Sequence, residues 1–128
     1  LITLTLFACF INGTTHKISR SKMAVYVGTK SSQDSLLHRS EHVKTPNFYI
    51  RTTDIAFPKY YEENDNIITA VYIIDNSDSD EGASAEVDYG GIGLTYANVH
   101  LRSALWGGFN YTVEIYGTKV DYLDDTPE

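Results

Sequence analysis

Two histidines four positions apart, His38 and His42, are the first residues whose spacing suggests chemistry. On a helix both rings would face one metal ion. On a strand they share a face about 13 Å apart, at about 3.3 Å per residue, too far to ligate together. The strand reading prevails, so the pair predicts no zinc. Asp75, Asp78, Asp80 and Glu81 crowd one polar stretch. A helix-flanked calcium loop needs acids at alternate positions, Gly at the sixth and a distant Glu. Starting from Asn76, Glu81 falls where that Gly belongs, so the stretch reads as a solvated acidic turn. Ser, His and Asp are all present, but no G-x-S-x-G elbow frames a nucleophile. Gly90, Gly91 and Gly93 form a G-G-x-G box, yet no helix start or Lys follows to cradle phosphate. The sequence therefore predicts no catalytic residue, no cofactor site, no metal site and no enzyme. One modification signal is present. Asn110-Tyr111-Thr112 is an N-x-T glycosylation acceptor.

These residues must be positioned by strands. Phe109, Tyr111, Val113 and Ile115 alternate with Asn110, Thr112 and Glu114, which predicts a half-buried strand with Asn110 outward. Ala97, Val99 and Leu101 alternate with Asn98, His100 and Arg102. Ala83, Ala85, Val87 and Tyr89 alternate with Ser84, Glu86 and Asp88. Met23, Val25 and Val27 alternate with Ala24 and Tyr26. Ile67 to Ile74 is apolar on both phases and predicts a central strand covered on both sides. Phe48 to Phe57 changes phase, which a bulge near Arg51–Thr53 would reconcile. Ser35 to Val43 reads as an edge strand or a short helix. Turn residues divide the runs: Thr45-Pro46, Pro58 to Asn66, Asp75 to Gly82, Gly90-Gly91 with Gly93, and Gly107-Gly108. The fold class is all-β: a single-domain antiparallel β-sandwich or barrel of about seven or eight strands. The predicted core includes Val71, Ile73, Val99, Leu101, Val113 and Ile115.

The chain has 128 residues and a net charge of −7, which disfavours contact with phosphate backbones. Its charge is lopsided. Residues 1–59 carry eight Lys/Arg against three Asp/Glu, and residues 60–128 carry two against fourteen. Lys17, Arg20, Lys22 and Lys30 read as a solvated N-terminal arm. Leu1 to Ile11 is an uncharged apolar run of the length of a secretory leader, with a buried first strand as the competing reading. Cys9 lies inside it, so the β-domain would hold together without a disulfide. The expected organisation is a leader at 1–13 with a truncated start, an arm at 14–22, a β-domain at 23–117 and an acidic tail at 118–128.

Residues 23–117 also carry a family likeness. The carrying residues are Gly28, Asp34, Leu36-Leu37 and Arg39, then Ile68-Thr69, Asp75 and Gly82-Ala83. They continue with Gly90, Gly91, Gly93, Val99, Leu101, Ser103, Gly108 and Phe109, and end on Val113-Glu114-Ile115-Tyr116-Gly117. In these residues the chain resembles the multiprotein bridging factor 2 family of insects, whose members are often labelled transcription activators or salivary secreted peptides. The resemblance implies a small β-domain in which Gly28, Gly90, Gly91, Gly93, Gly108, Glu114, Tyr116 and Gly117 are structural positions. It carries no catalytic residues. Two functions are expected. The leader, the sequon and the family likeness point to a secreted, non-enzymatic glycoprotein that binds a protein partner or ligand outside the cell. The family name and the acidic C-terminal half point to a nuclear coactivator bridging a DNA-bound factor and the basal transcription machinery. Neither involves direct nucleic-acid contact or a membrane span.

Overall fold

A computed structural model describes residues 22–120 of the chain, so the leader, most of the arm and most of the tail lie outside the described residues. Seven strands follow one another: β1 (Lys22–Gly28), β2 (Ser35–Lys44), β3 (Thr52–Phe57), β4 (Asn66–Asp75), β5 (Ser84–Gly90), β6 (Ala97–Arg102) and β7 (Phe109–Lys119). β7 thus continues two residues past Gly117 into the stretch expected as tail. The strands form two antiparallel sheets, β1-β4-β7-β2 and β3-β6-β5. The result is a two-layer sandwich and not a closed barrel. Ser35 to Val43 is resolved as an edge strand; it is not a helix.

The two-residue period locates the core. Val71, Ile73, Val99, Leu101, Val113 and Ile115 have no exposed surface and interdigitate between the sheets. On β7 Thr112 and Tyr116, on the phase expected to face solvent, are buried as well, so that strand is more than half-buried. Three other runs depart from simple alternation, and in two of them a bulge is the cause. The β4–β7 register slips between Ile68 and Ala70, so Ile68 is buried on one parity and Val71 and Ile73 on the other. That slip accounts for the two apolar phases of Ile67 to Ile74, and no second sheet covers the strand's outer side among the described residues. The β5–β6 register slips between Val87 and Tyr89, which turns Tyr89 out to 66% exposure. The third departure has no bulge. β3 begins only at Thr52, and Phe48, Tyr49 and Ile50 lie in the preceding loop, largely exposed.

The G-G-x-G box makes the β5–β6 turn and ties the sheets together. Gly90, Gly91 and Gly93 all have positive φ, at 72°, 118° and 83°. Gly93 donates its N–H to the Ile68 carbonyl, and Ile68 donates to the Leu94 carbonyl, both across to β4. Gly28, also at positive φ, lies against the Thr69 backbone. Gly108 and Gly117 instead permit close backbone approach, to Lys44 and Ile67 respectively. At the opposite end, buried Ser103 accepts from the Arg51 N–H at 2.8 Å through its hydroxyl and returns its own N–H to the Arg51 carbonyl. This exchange fixes the β2–β3 loop against the β6–β7 loop.

Candidate functional site

The inward faces of the strands are apolar except on β2. Paired to β7, β2 turns His38, Ser40 and His42 inward opposite Ile115, Val113 and Tyr111. All three are half-buried. The two imidazole Nε2 atoms converge on the Ser40 Oγ, at 2.8 and 2.7 Å. The hydroxyl can donate to one ring and accept from the other, so the rings take opposite roles. The α-carbon spacing on a strand is therefore a poor guide here: the side chains lean together, and the pair is far closer than 13 Å. His38 also packs on Phe57, with ring centroids 5.8 Å apart.

A groove of about 480 Å³ opens beside these rings, between β2 and β3. Its walls include the histidines, Arg39, Asp54, Ile55, Lys59 and Tyr60. Burial holds both imidazoles below the ordinary histidine range. At His38 repulsion from Lys59 and His42 adds to this and Glu62 opposes it; at His42 Lys44 adds to it. An unfolded chain takes up protons near pH 6.5 that the folded one resists. Stability contributed by this pair is thus lost as pH falls through about 6.5, until the lowered folded values are passed.

A second cluster lies on the outer face of the other sheet. Asp54 on β3, His100 on β6 and Asp88 on β5 bring one ligand-type atom each within 4.8 Å of one another. The His100 Nδ1 is 2.8 Å from an Asp54 carboxylate oxygen, and the Asn98 amide donates to both Asp54 and Asp88. This set is not among those singled out from the sequence. Each residue lies on the polar phase of its strand, but only cross-strand register brings them together. The hydrogen bond to Asp54 holds His100 above its ordinary range, and the same bond holds Asp54 below its own. The contribution of His100 is complete below about pH 6.5 and is lost as pH rises through its raised value. It therefore opposes the groove histidines. Between pH 7.5 and 5.5 the thermal midpoint should fall less in a His38→Gln/His42→Gln variant than in the parent, and more in His100→Gln.

The acidic loop satisfies itself. Asp75 accepts from the N–H and hydroxyl of Ser77, and Asp80 accepts from the Gly82 N–H. Among the described residues its acids are not part of a three-ligand group.

Tyrosines dominate the outer face of the β1-β4-β7-β2 sheet. Tyr26 stacks on Tyr72 at 4.5 Å, Tyr72 meets Tyr116 at 5.5 Å, and the Lys30 ammonium sits 4.5 Å above the Tyr116 ring. Tyr116 donates to Glu114. These two family-likeness residues therefore meet on the outer side of the sheet, Tyr116 buried beneath its neighbours and Glu114 half-buried. Asn110 points to the same side, half-buried on an interior strand, while Thr112 of the sequon is buried and its hydroxyl accepts from Asn76. A third exposed group, Phe48, Tyr49 and Trp106, crowns the end of the sandwich, with Trp106 at φ 66° and 71% exposed.

A family model described as transcription activator MBF2 matches residues 27–117. No curated protein and no solved structure matches the chain.

Proposed function

Because the chain belongs to the MBF2 family, we propose that it is a transcription coactivator working through protein contacts, joining a DNA-bound factor to the basal transcription machinery. The family match over residues 27–117 carries this reading. The net charge of −7 supports contact with proteins over contact with DNA, because an acidic surface repels the phosphate backbone. The many exposed aromatic side chains, among them Tyr26, Phe48, Tyr49, Tyr60, Tyr61 and Trp106, supply the residue types that dominate protein interfaces. No described helix is long and apolar enough to cross a membrane. The role is non-enzymatic and nuclear. The extracellular reading rests on residues 1–11, on the Asn110 sequon and on the secreted-peptide label of some family members; the matching model's description as a transcription activator favours the nuclear role over it.

The test is a tethered reporter. Residues 22–120 fused to a heterologous DNA-binding domain should raise transcription from a promoter carrying that domain's site in insect cells. The domain alone should not. A fusion that accumulates in the nucleus yet leaves the reporter at background would overturn the proposal.

A further inference from the structure

We propose that the free edge of β2, together with the groove beside it, docks an extended acidic segment of a protein partner. The segment adds as a strand to the β1-β4-β7-β2 sheet and seats one side chain between β2 and β3. The proposal takes only the existence of a protein partner from the coactivator reading.

Four observations carry it. Among the described residues β2 pairs with β7 alone, so its other edge presents backbone donors and acceptors that no described strand takes up. That edge is long, ten residues, and contains no proline. Its single irregularity, between Leu36 and His38, is confined to its start, and register with β7 is unbroken from His38 to Lys44. By contrast β3 has six residues and is followed by Pro58, while β1 carries a bulge and approaches β5. Native sheets usually blunt such an edge; β2 does so only with the charges of Arg39, Glu41 and Lys44 and the irregularity at its start, and its run from His38 to Lys44 has neither proline nor bulge.

Second, the groove sits where an added strand would send a side chain. Strand addition supplies affinity through main-chain hydrogen bonds and specificity through pockets for alternate side chains. Third, the polar inward face of β2 suits such a pocket: His38, Ser40 and His42 keep hydrogen-bonding groups at the groove wall where the other strands present apolar ones.

Fourth, the charge is complementary to an acidic ligand. From Ser35 to Lys59 the chain carries Arg39, Lys44, Arg51 and Lys59 against Glu41 and Asp54. From Tyr60 to Arg102 it carries nine acids against one base. Asp54, the one carboxylate on the groove wall, is already engaged by His100 and Asn98. Arg39 is paired with Glu41 and Glu114, and Glu62 acts on the groove, so the positive charge of this flank rests chiefly on Lys44 and Lys59, in a protein of net charge −7. That balance selects an acidic strand over a second copy of this chain, which would bring two cationic edges together.

The test uses three fluorescent decapeptides: one alternating glutamate with valine, one alternating lysine with valine, and the first N-methylated at alternate amides. The full chain should bind the glutamate peptide in a fluorescence-anisotropy titration. Amide hydrogen exchange should then show new protection at residues 38–44. The lysine peptide should not bind. N-methylation keeps the charge but removes strand pairing, and should weaken binding by about tenfold or more. Lys59→Glu, at an exposed position, should weaken it by about tenfold while leaving the thermal midpoint unchanged. Absence of binding by the glutamate peptide, equal binding of the N-methylated peptide, protection on β1 or on the tyrosine face, or self-association through β2 would each overturn the proposal. The assay contains neither DNA nor transcription proteins, so its failure is separable from failure of the coactivator reading.

Discussion

Replacing Gly90 with alanine should destabilise the domain by about 3 kcal/mol or more, a large share of the roughly 5–15 kcal/mol that holds a domain folded. Two costs combine. Gly90 holds φ at 72°, a left-handed conformation that costs an L side chain about 1–2 kcal/mol. A β-carbon there would also lie 2.3 Å from the Tyr96 carbonyl oxygen and 2.9 Å from the Ala97 α-carbon. These are backbone atoms of the turn at Tyr96 and of Ala97, the first residue of β6, so relief requires the turn and the start of β6 to move. Gly93→Ala separates the two costs, because Gly93 has φ of 83° but nothing within 4 Å of the added carbon. It should lose only about 1–2 kcal/mol. Urea midpoints of the two variants, measured side by side, check the difference. Equal losses would show that backbone conformation alone governs the turn.

Ile115→Ala should cost about 2–5 kcal/mol. Ile115 is fully buried on β7, an interior strand flanked by β4 at Val71 and by β2 at His38. Both neighbouring strands are held by main-chain bonds, so the cavity cannot collapse cheaply. Val43→Ala, at a 60% exposed position on the edge strand, should change stability by less than about 0.5 kcal/mol. Equilibrium denaturation of both variants reads the contrast. A small loss at Ile115 would mean that the core repacks around it.

Strand content, antiparallel pairing and most of the core were legible in the sequence because alternation reports burial directly, as at Val99, Leu101, Val113 and Ile115. What alternation cannot report is a register slip, since one inserted residue reverses the phase beyond it. Ile67 to Ile74 therefore looked doubly covered, and Tyr89 looked buried. The exposed Phe48-Tyr49-Ile50 run defeated the pattern for another reason: apolar residues on an ordered loop carry the same letters as a strand. The candidate sites were less legible still. His38 and His42 were visible as a pair, but their convergence on Ser40 depends on side-chain lean. Asp54, Asp88 and His100 come from three strands, and nothing in one strand's letters encodes its register against the next. Gly90 and Gly93 stood out as turn residues, while only the close approach of β6 distinguishes the cost of substituting each.

The central claim, that this chain acts on transcription through protein contact and not by reading DNA, is tested most directly by one anisotropy titration. A labelled promoter duplex is titrated with the protein at physiological salt, first bare and then carrying the preassembled basal transcription machinery. The account predicts no change on bare duplex, because the net charge of −7 sets the chain against the phosphate backbone, and a saturable rise on the loaded duplex. Binding to the bare duplex, or no rise on the loaded one, would contradict it.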